Sequence, residues 1–480
     1  MSECAKVSQE KCLPPKCIYV NKTRKYCRKA FKQTEKLECK KLPQDQCTPP
    51  CVYINTEKRK YCRSKKSTFY SPNSTNPTKT TKKISTIIKQ SKLFLKTMCK
   101  SSGECLAFGK YSDELNRLFN HFADFSYASG PIKKIGSESS NGFVREIKYE
   151  KDGYTAYSIL KSSTSARSDN LVYEYIVGKH FINKIIKQFP CFLYTYGLYY
   201  YKTLAAHTKV KSANQYDATT LSDDIKVSTI QYDQMCNHAK RACILVQHLH
   251  NSVSLKSMIP DTPFVMFDLI YILFIIYQAL YSLRTQFTHY DLHTENVLLC
   301  KLPENTCIQY VYHLSDKDLI FRLPYVPKII DYGRCYFNAA TNSQKIKDKL
   351  CATPECNPKC GSNFGFSLLN SRLKKYYIQP TQMNQSHDLR LLHIIKTTMK
   401  FKHTKSELYQ MLSRVVYLNR YGTPENLNSE AEKILNVSDA YINIKEQCNT
   451  TMDLNVEKYK NHKVIQTLHI YENGKEIEYE

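Results

Sequence analysis

Apolar and polar positions along the 480-residue chain fall into a few readable runs. Residues 264–283, FVMFDLIYILFIIYQALYSL, form a long apolar stretch interrupted by Asp268 and Gln278. Its length stands near the threshold for a membrane span, but it feeds directly into polar residues, so a buried core helix is expected. The polar residues are His289-Tyr290-Asp291-Leu292-His293-Thr294-Glu295-Asn296, and the β-like run Val297-Leu298-Leu299 follows. Upstream, Tyr154 to Lys161 reads as a strand ending in lysine, and residues 171–186 (LVYEYIVGKHFINKII) carry a helical pattern. Residues 190–199 and 243–249 read as further strands, and 111–122 as a helix. Residues 386–392 open another helix, and helices are expected beyond 404. Two stretches lack a clear pattern and read as insertions: roughly 206–238, and about Cys300 to Pro324.

The polar loop carries the chemistry. An aspartate and an asparagine stand five residues apart, and a second acidic turn, Lys328-Ile329-Ile330-Asp331-Tyr332-Gly333, follows about thirty-five residues on. Metal-assisted phosphoryl transfer needs this set: one carboxylate to accept a hydroxyl proton, and an amide and a second carboxylate to hold Mg²⁺. Asp291 is the candidate base, and Asn296 and Asp331 are the candidate metal ligands.

Charge and cysteine change the picture at the N-terminus. Residues 1–66 carry 18 Lys/Arg against 6 Asp/Glu, and residues 67–100 add seven Lys and no acid, so most of the net charge of +27 lies there. Any interest in polyanions therefore belongs to that end. Cys4, Cys12, Cys17 and Cys27 recur as Cys39, Cys47, Cys51 and Cys62, and PPKCIYVNKTRKYCR is echoed by PPCVYINTEKRKYCR: an internal duplication. Each copy is too poor in apolar residues for a core, so its cysteines are expected to staple it, by disulfides or alternatively by zinc. Partner binding or virion packaging is the expected role of residues 1–66, with nucleic-acid binding as an alternative. Residues 67–105 read as a basic Ser/Thr/Lys-rich linker. No signal peptide is visible, and an intracellular, non-membrane protein is expected.

In order along the chain, these features resemble the protein-kinase superfamily, whose catalytic loop reads His-Arg-Asp-Leu-x-x-x-x-Asn. Ile135 to Val144 resembles the Gly-rich loop: it keeps Gly136, Gly142 and the following Phe-Val, but lacks the middle glycine. The resemblance makes Gly136, Gly142 and Val144 nucleotide-binding residues. Lys161 stands where the family has the lysine of Val-Ala-Ile-Lys, and Glu174 is its expected carboxylate partner. Residues 243–249 resemble the fifth strand and hinge, with Val246 as gatekeeper and Gln247 to Leu249 offering backbone groups to adenine. Asp388 would hold the backbone of the catalytic loop. His293, the further candidate catalytic residue, departs from the family, which commonly has lysine there; its imidazole would offer the γ-phosphate a donor without fixed charge. The Asn296–Asp331 interval and the cysteine segment Cys351, Cys356, Cys360 around Thr353-Pro354-Glu355 depart as well.

The combination is most similar to Ser/Thr kinases of large nucleocytoplasmic DNA viruses, iridoviruses in particular. It implies an α+β, bilobal fold over residues 106–480, with a small β-rich lobe and a large helical lobe, preceded by two cysteine-rich repeats over 1–66. It also implies ATP and Mg²⁺, a protein substrate, and a place in the host cytoplasm or virion. A catalytically silent scaffold, and a protein acting through its N-terminal repeats, are the competing readings.

Overall fold

The computed structural model describes residues 17–21, 25–29, 51–56, 59–64, 112–136, 142–152, 154–164, 170–212, 216–227, 241–338, 382–399, 403–417 and 426–480. Contacts divide the chain into two units, Met1–Pro77 and Thr78–Glu480. The stretch 67–105 and the cysteine segment 351–360 lie outside the described residues.

In the first unit the sequence repeat is a repeat of antiparallel hairpins. β1 (Cys17–Asn21) pairs with β2 (Lys25–Lys29), and β3 (Cys51–Thr56) with β4 (Arg59–Ser64). Tyr19 stands opposite Cys27 and Tyr53 opposite Cys62, so the two copies share one register. The residue that the second copy gains falls in its turn, between Asn55 and Lys60, where the first copy runs from Asn21 to Lys25. Cys4, Cys12, Cys39 and Cys47 lie outside the described residues.

The second unit is an α+β assembly. It opens with helix α1 (Ser112–Leu118) and a sheet in the order β5-β6-β7-β10-β8-β9, antiparallel throughout. Its strands are β5 (Ala128–Ile135), β6 (Gly142–Lys151), β7 (Tyr154–Ser163), β8 (Thr195–Tyr201), β9 (Ile225–Val227) and β10 (Ala242–Gln247). β6 alternates as a half-buried strand should, sending Phe143, Arg145, Ile147 and Tyr149 inward. Helix α2 (Asn170–Val177) packs on the sheet and runs on through a π-helical Gly178–Ile182. The stretch expected to be a patternless insertion carries regular elements among its described residues. Helix α3 (Leu204–Ser212) buries Ala206, His207 and Val210, and β9 adds an edge strand.

The long apolar run is two helices, α4 (Thr262–Phe267) and α5 (Leu269–Ser282), broken at Asp268. All residues of α5 from Leu269 to Leu280 are buried, so apolarity on every face reflects a helix enclosed by protein. Among the described residues no helix is long and apolar enough to cross a membrane. The short strands β11 (Ser252–Ser254), β12 (Phe287–Thr288) and β13 (Val297–Lys301) precede and follow these helices in the chain. The Cys300–Pro324 stretch is a hairpin of β14 (Thr306–His313) and β15 (Asp318–Leu323), and the chain returns through β16 (Tyr325–Ile329) and β17 (Tyr336–Phe337).

Helix α6 (Arg390–Thr398) follows where residues 386–392 were expected to open a helix, and α7 (Glu407–Ser413) and α8 (Val437–Lys458) follow as expected beyond 404. The chain then ends in strands, which helices alone did not anticipate. β18 (Lys463–Tyr471) lies parallel to β14, and β19 (Glu478–Tyr479) beside it, in a four-stranded sheet ordered β15-β14-β18-β19. KVIQTLHIY alternates with period two, and the inward positions Gln466, Leu468 and Ile470 are buried, so the strand period wins here.

Candidate active site

Three elements converge on Lys161. It lies on β7 opposite Val144 of β6 and Ile244 of β10. Its Nζ is 2.7 Å from both Oε1 and Oε2 of Glu174 on α2, and 4.0 Å from Oδ1 of Asp331. Burial opposes the charge on Lys161, but Glu174 and Asp331 outweigh it and hold the ammonium's pKa above its ordinary value. Asp331 sits just past β16 with φ +67, and its side chain is half exposed. Desolvation works against its charge, yet Lys161 and Arg334 more than offset this and keep the carboxyl below the usual range.

The turn that aims Asp331 is braced by neighbours. Tyr332 Oη donates to the Ile329 carbonyl (2.7 Å) and accepts from Leu193 N–H (2.8 Å). Tyr173 on α2 donates to the Cys335 carbonyl at 2.7 Å, tying the helix that carries Glu174 to the chain beyond Asp331.

The polar loop is held from below by Asp388. Its Oδ2 accepts the His289 N–H at 2.7 Å and its Oδ1 the Tyr290 N–H at 3.0 Å, the role expected of it. Tyr290 adopts φ +62, a backbone state that a non-glycine residue keeps only when its surroundings fix it. His289 Nε2 donates to the Ile330 carbonyl (3.0 Å), and its Nδ1 accepts the Asp291 N–H (3.3 Å), which assigns the neutral Nε2–H tautomer. Burial pushes the pKa of His289 down to about 4 against the pull of Asp291. Asn296 Nδ2 donates to the Asp291 carbonyl at 2.9 Å, and the Asn296 carbonyl accepts Ile330 N–H at 3.0 Å, joining the loop to the Asp331 turn.

The carboxylate of Asp291 is gripped from both sides. Arg390 Nη1 lies 2.6 Å from its Oδ1 and Arg334 Nη1 3.0 Å from its Oδ2. His293 Nε2 is 3.9 Å from Oδ1, while His293 Nδ1 accepts the Glu295 N–H at 3.2 Å. Burial, with Arg390 adding to it, lowers the pKa of His293 against Asp291.

Of the remaining expected residues, Gly136 follows β5 at φ +65, where L side chains are strained. A Cβ on Gly142 would run into the Ser162 carbonyl of β7. Residues 137–141 between the two glycines lie outside the described residues. Gln247 closes β10; its N–H donates to the Tyr194 carbonyl at 2.9 Å and its Oε1 accepts Tyr194 N–H at 3.2 Å. Leu249 is buried just beyond. A separate cavity of about 360 Å³ lined by Asp113, Lys187, Gln247 and Lys328 does not include Asp291 or Asp331.

Sequence reasoning missed Arg334, Arg390 and the contact of His248 Nε2 with Glu146 Oε2 (2.9 Å) beside Gln247. Arg334 directly follows Gly333, a position that could have drawn notice. Arg390 meets Asp291 across 99 residues, and no local pattern announces that contact.

The donor set suits a hard cation. Asn296 Oδ1 and the Asp331 carboxylate would be oxygen ligands, and Mg²⁺ commonly takes only one or two protein ligands and completes its shell with phosphate and water. Among the described residues no group of three or more His, Cys, Asp or Glu side chains is arranged to hold a metal. No protein-family model matches the chain, and no curated protein sequence matches it.

Proposed function

We propose that the chain is an ATP-dependent phosphotransferase, in its most direct form a serine/threonine protein kinase acting on a protein hydroxyl. The observation that carries the reading is the convergence of Lys161, Glu174 and Asp331, with the Asp291–Asn296 loop joined to that turn through Asn296 and Ile330. On this reading the antiparallel sheet with α2 is the small lobe and the α5-centred assembly the large lobe of a bilobal kinase-like fold. Gly136, Gly142 and Val144 would cover the nucleotide, and the backbone from Gln247 to Leu249 would meet adenine.

Lys161, fixed by Glu174, would neutralise the α- and β-phosphates. Asp291 would orient the acceptor hydroxyl and take its proton as the γ-phosphoryl group departs from ADP. Asn296 and Asp331 would hold Mg²⁺, which neutralises charge on the phosphates when bound. The loop is pre-set for this role by Asp388, so little reorganisation is needed on binding.

A second reading, a nucleotide-binding scaffold without turnover, draws on the occupation of both Asp291 oxygens by arginine. Calorimetry with ATP and Mg²⁺ tests the common part of both. Binding to wild type that is lost in Lys161→Met supports them, and the absence of any nucleotide binding overturns both.

A further inference from the structure

Resting on the phosphotransferase reading, we infer that the Tyr332 hydroxyl positions the Asp331 carboxylate as a ligand of Mg²⁺, by closing the turn that carries it. Groups that hold a metal ligand from behind fix its direction and set much of its affinity. Asp331 needs such support. Its φ of +67 is a backbone state that a residue with a Cβ adopts only at a cost. Lys161 Nζ stands 4.0 Å from its Oδ1, too far for a hydrogen bond that would fix the direction of the carboxylate.

The turn is tied down on both flanks of Asp331. Before it, the Ile330 N–H donates to the Asn296 carbonyl at 3.0 Å and the Ile329 N–H to the Cys191 carbonyl at 2.6 Å. After it, the Tyr332 side chain folds back, its Oη donating to the Ile329 carbonyl at 2.7 Å and accepting the Leu193 N–H at 2.8 Å. The side chain of residue 332 is thus bonded to the main chain of residue 329, and Asp331 lies inside the ring so formed. Leu193 fixes that ring to its surroundings, because the neighbouring Phe192 forms a parallel bridge with Ile329. Asn296, the other ligand, is on the same frame: its carbonyl takes the Ile330 N–H, and its Nδ2 donates to the Asp291 carbonyl.

Ring packing alone does not achieve this. Tyr332 is buried, with ring centroids 6.4 Å from Phe192 and 6.1 Å from His289. A phenylalanine would keep those neighbours and lose both hydrogen bonds. Apolar contact is non-directional, whereas two short hydrogen bonds set the depth and the rotation of the ring. Burial pushes the pKa of the hydroxyl well up, so it stays a donor. The Tyr173 hydroxyl also reaches this stretch, but it donates to the Cys335 carbonyl, four residues past Asp331 and outside the closed turn. The closure consists of one hydroxyl and main-chain groups, and it carries no charge.

The test measures ADP affinity of the full chain by calorimetry, in EDTA and at stepped Mg²⁺ concentrations. Mg²⁺ is expected to tighten ADP binding in wild type. In Tyr332→Phe the Mg²⁺ concentration needed for half of this tightening is expected to rise ~10-fold, the lower end of what a ligand's supporting group is worth, with the affinity in EDTA changed less than about twofold. With casein as the probe acceptor, the Mg²⁺ concentration for half the maximal rate is expected to rise in step, and KM for ATP at saturating Mg²⁺ to change less than about threefold. An unchanged Mg²⁺ requirement in Tyr332→Phe, or an equal loss of ADP affinity in EDTA, overturns the inference and leaves the phosphotransferase reading standing. A Tyr332→Phe chain that circular dichroism shows to be unfolded overturns it too, because the hydroxyl then serves the fold at large. A wild-type chain that binds ADP equally with and without Mg²⁺ removes the metal assignment and this role with it, and one that binds no nucleotide removes the phosphotransferase reading itself.

Discussion

Lys161 Nζ stands 2.7 Å from each carboxylate oxygen of Glu174 and 4.0 Å from Asp331, so one ammonium joins a strand, a helix and a turn. Removing one partner of a buried ion pair leaves an uncompensated charge, at a cost of about 3–5 kcal/mol. Lys161→Met is therefore expected to lose both stability and Mg²⁺-ATP binding. Adding Glu174→Leu removes the stranded carboxylate and is expected to restore most of the stability but none of the binding. Urea denaturation and calorimetry on the same samples separate the two effects. Recovery of binding in the double variant would contradict the assignment of Lys161 to phosphate.

Asp388 supports the loop through two buried N–H groups. Asp388→Ala leaves both without an acceptor, at roughly 1–3 kcal/mol each. Asp388→Asn keeps one acceptor oxygen and is expected to lose about half as much. A loss below about 1 kcal/mol for Asp388→Ala in denaturant unfolding would show that the loop holds itself.

His289 makes stability depend on pH with a definite sign. Its pKa is lowered from 6.5 to about 4, mainly by burial, so the folded state prefers the neutral ring. Its contribution is fully present above pH 6.5 and is lost as pH falls toward 4. Protonation at Nδ1 would also remove the acceptor of the Asp291 N–H. His387, pushed down to about 3 first by burial and then by Arg390, acts in the same direction. Melting temperature is expected to fall from pH 6.5 to 4.5 in wild type and less steeply in His289→Gln. Equal slopes would remove His289 as the titrating group.

Asp268 interrupts the apolar run because it is a buried junction. Lys458 Nζ lies 3.1 Å from both its oxygens, and Tyr459 Oη donates to Oδ1 at 2.5 Å. Asp268→Ala strands the Lys458 ammonium and the Tyr459 hydroxyl and is expected to cost about 3–5 kcal/mol. An unchanged unfolding midpoint would show that the break between α4 and α5 needs no such junction.

How much of this was legible in the sequence follows from how local each signal is. Lys161 lies near the end of a strand that runs on to Ser163, and Glu174 lies inside a helical pattern, so their types and order were readable before their contact was. Asp291, Asn296 and Asp331 were readable for the same reason. The β14–β15 hairpin was not, because its strand partner β18 lies some 150 residues downstream, and the parallel pairing Ile308–Gln466 leaves no mark in the intervening chain. The grip of Arg334 and Arg390 on Asp291 was hidden likewise: three residues from three segments meet only after the polar loop, the stretch beyond Asp331 and α6 have packed. In the first unit, repeat and register agree, whereas cysteine chemistry depends on residues beyond those described.

The central claim is phosphoryl transfer through Asp291, and a radiolabelled γ-phosphate assay tests it most directly. Wild type, Asp291→Ala and Lys161→Met are compared with Mg²⁺ and a casein acceptor. The account predicts transfer by wild type, a rate at least ~10²-fold lower in Asp291→Ala, as for loss of a general base, and none measurable in Lys161→Met. Equal signal from all three proteins would contradict it.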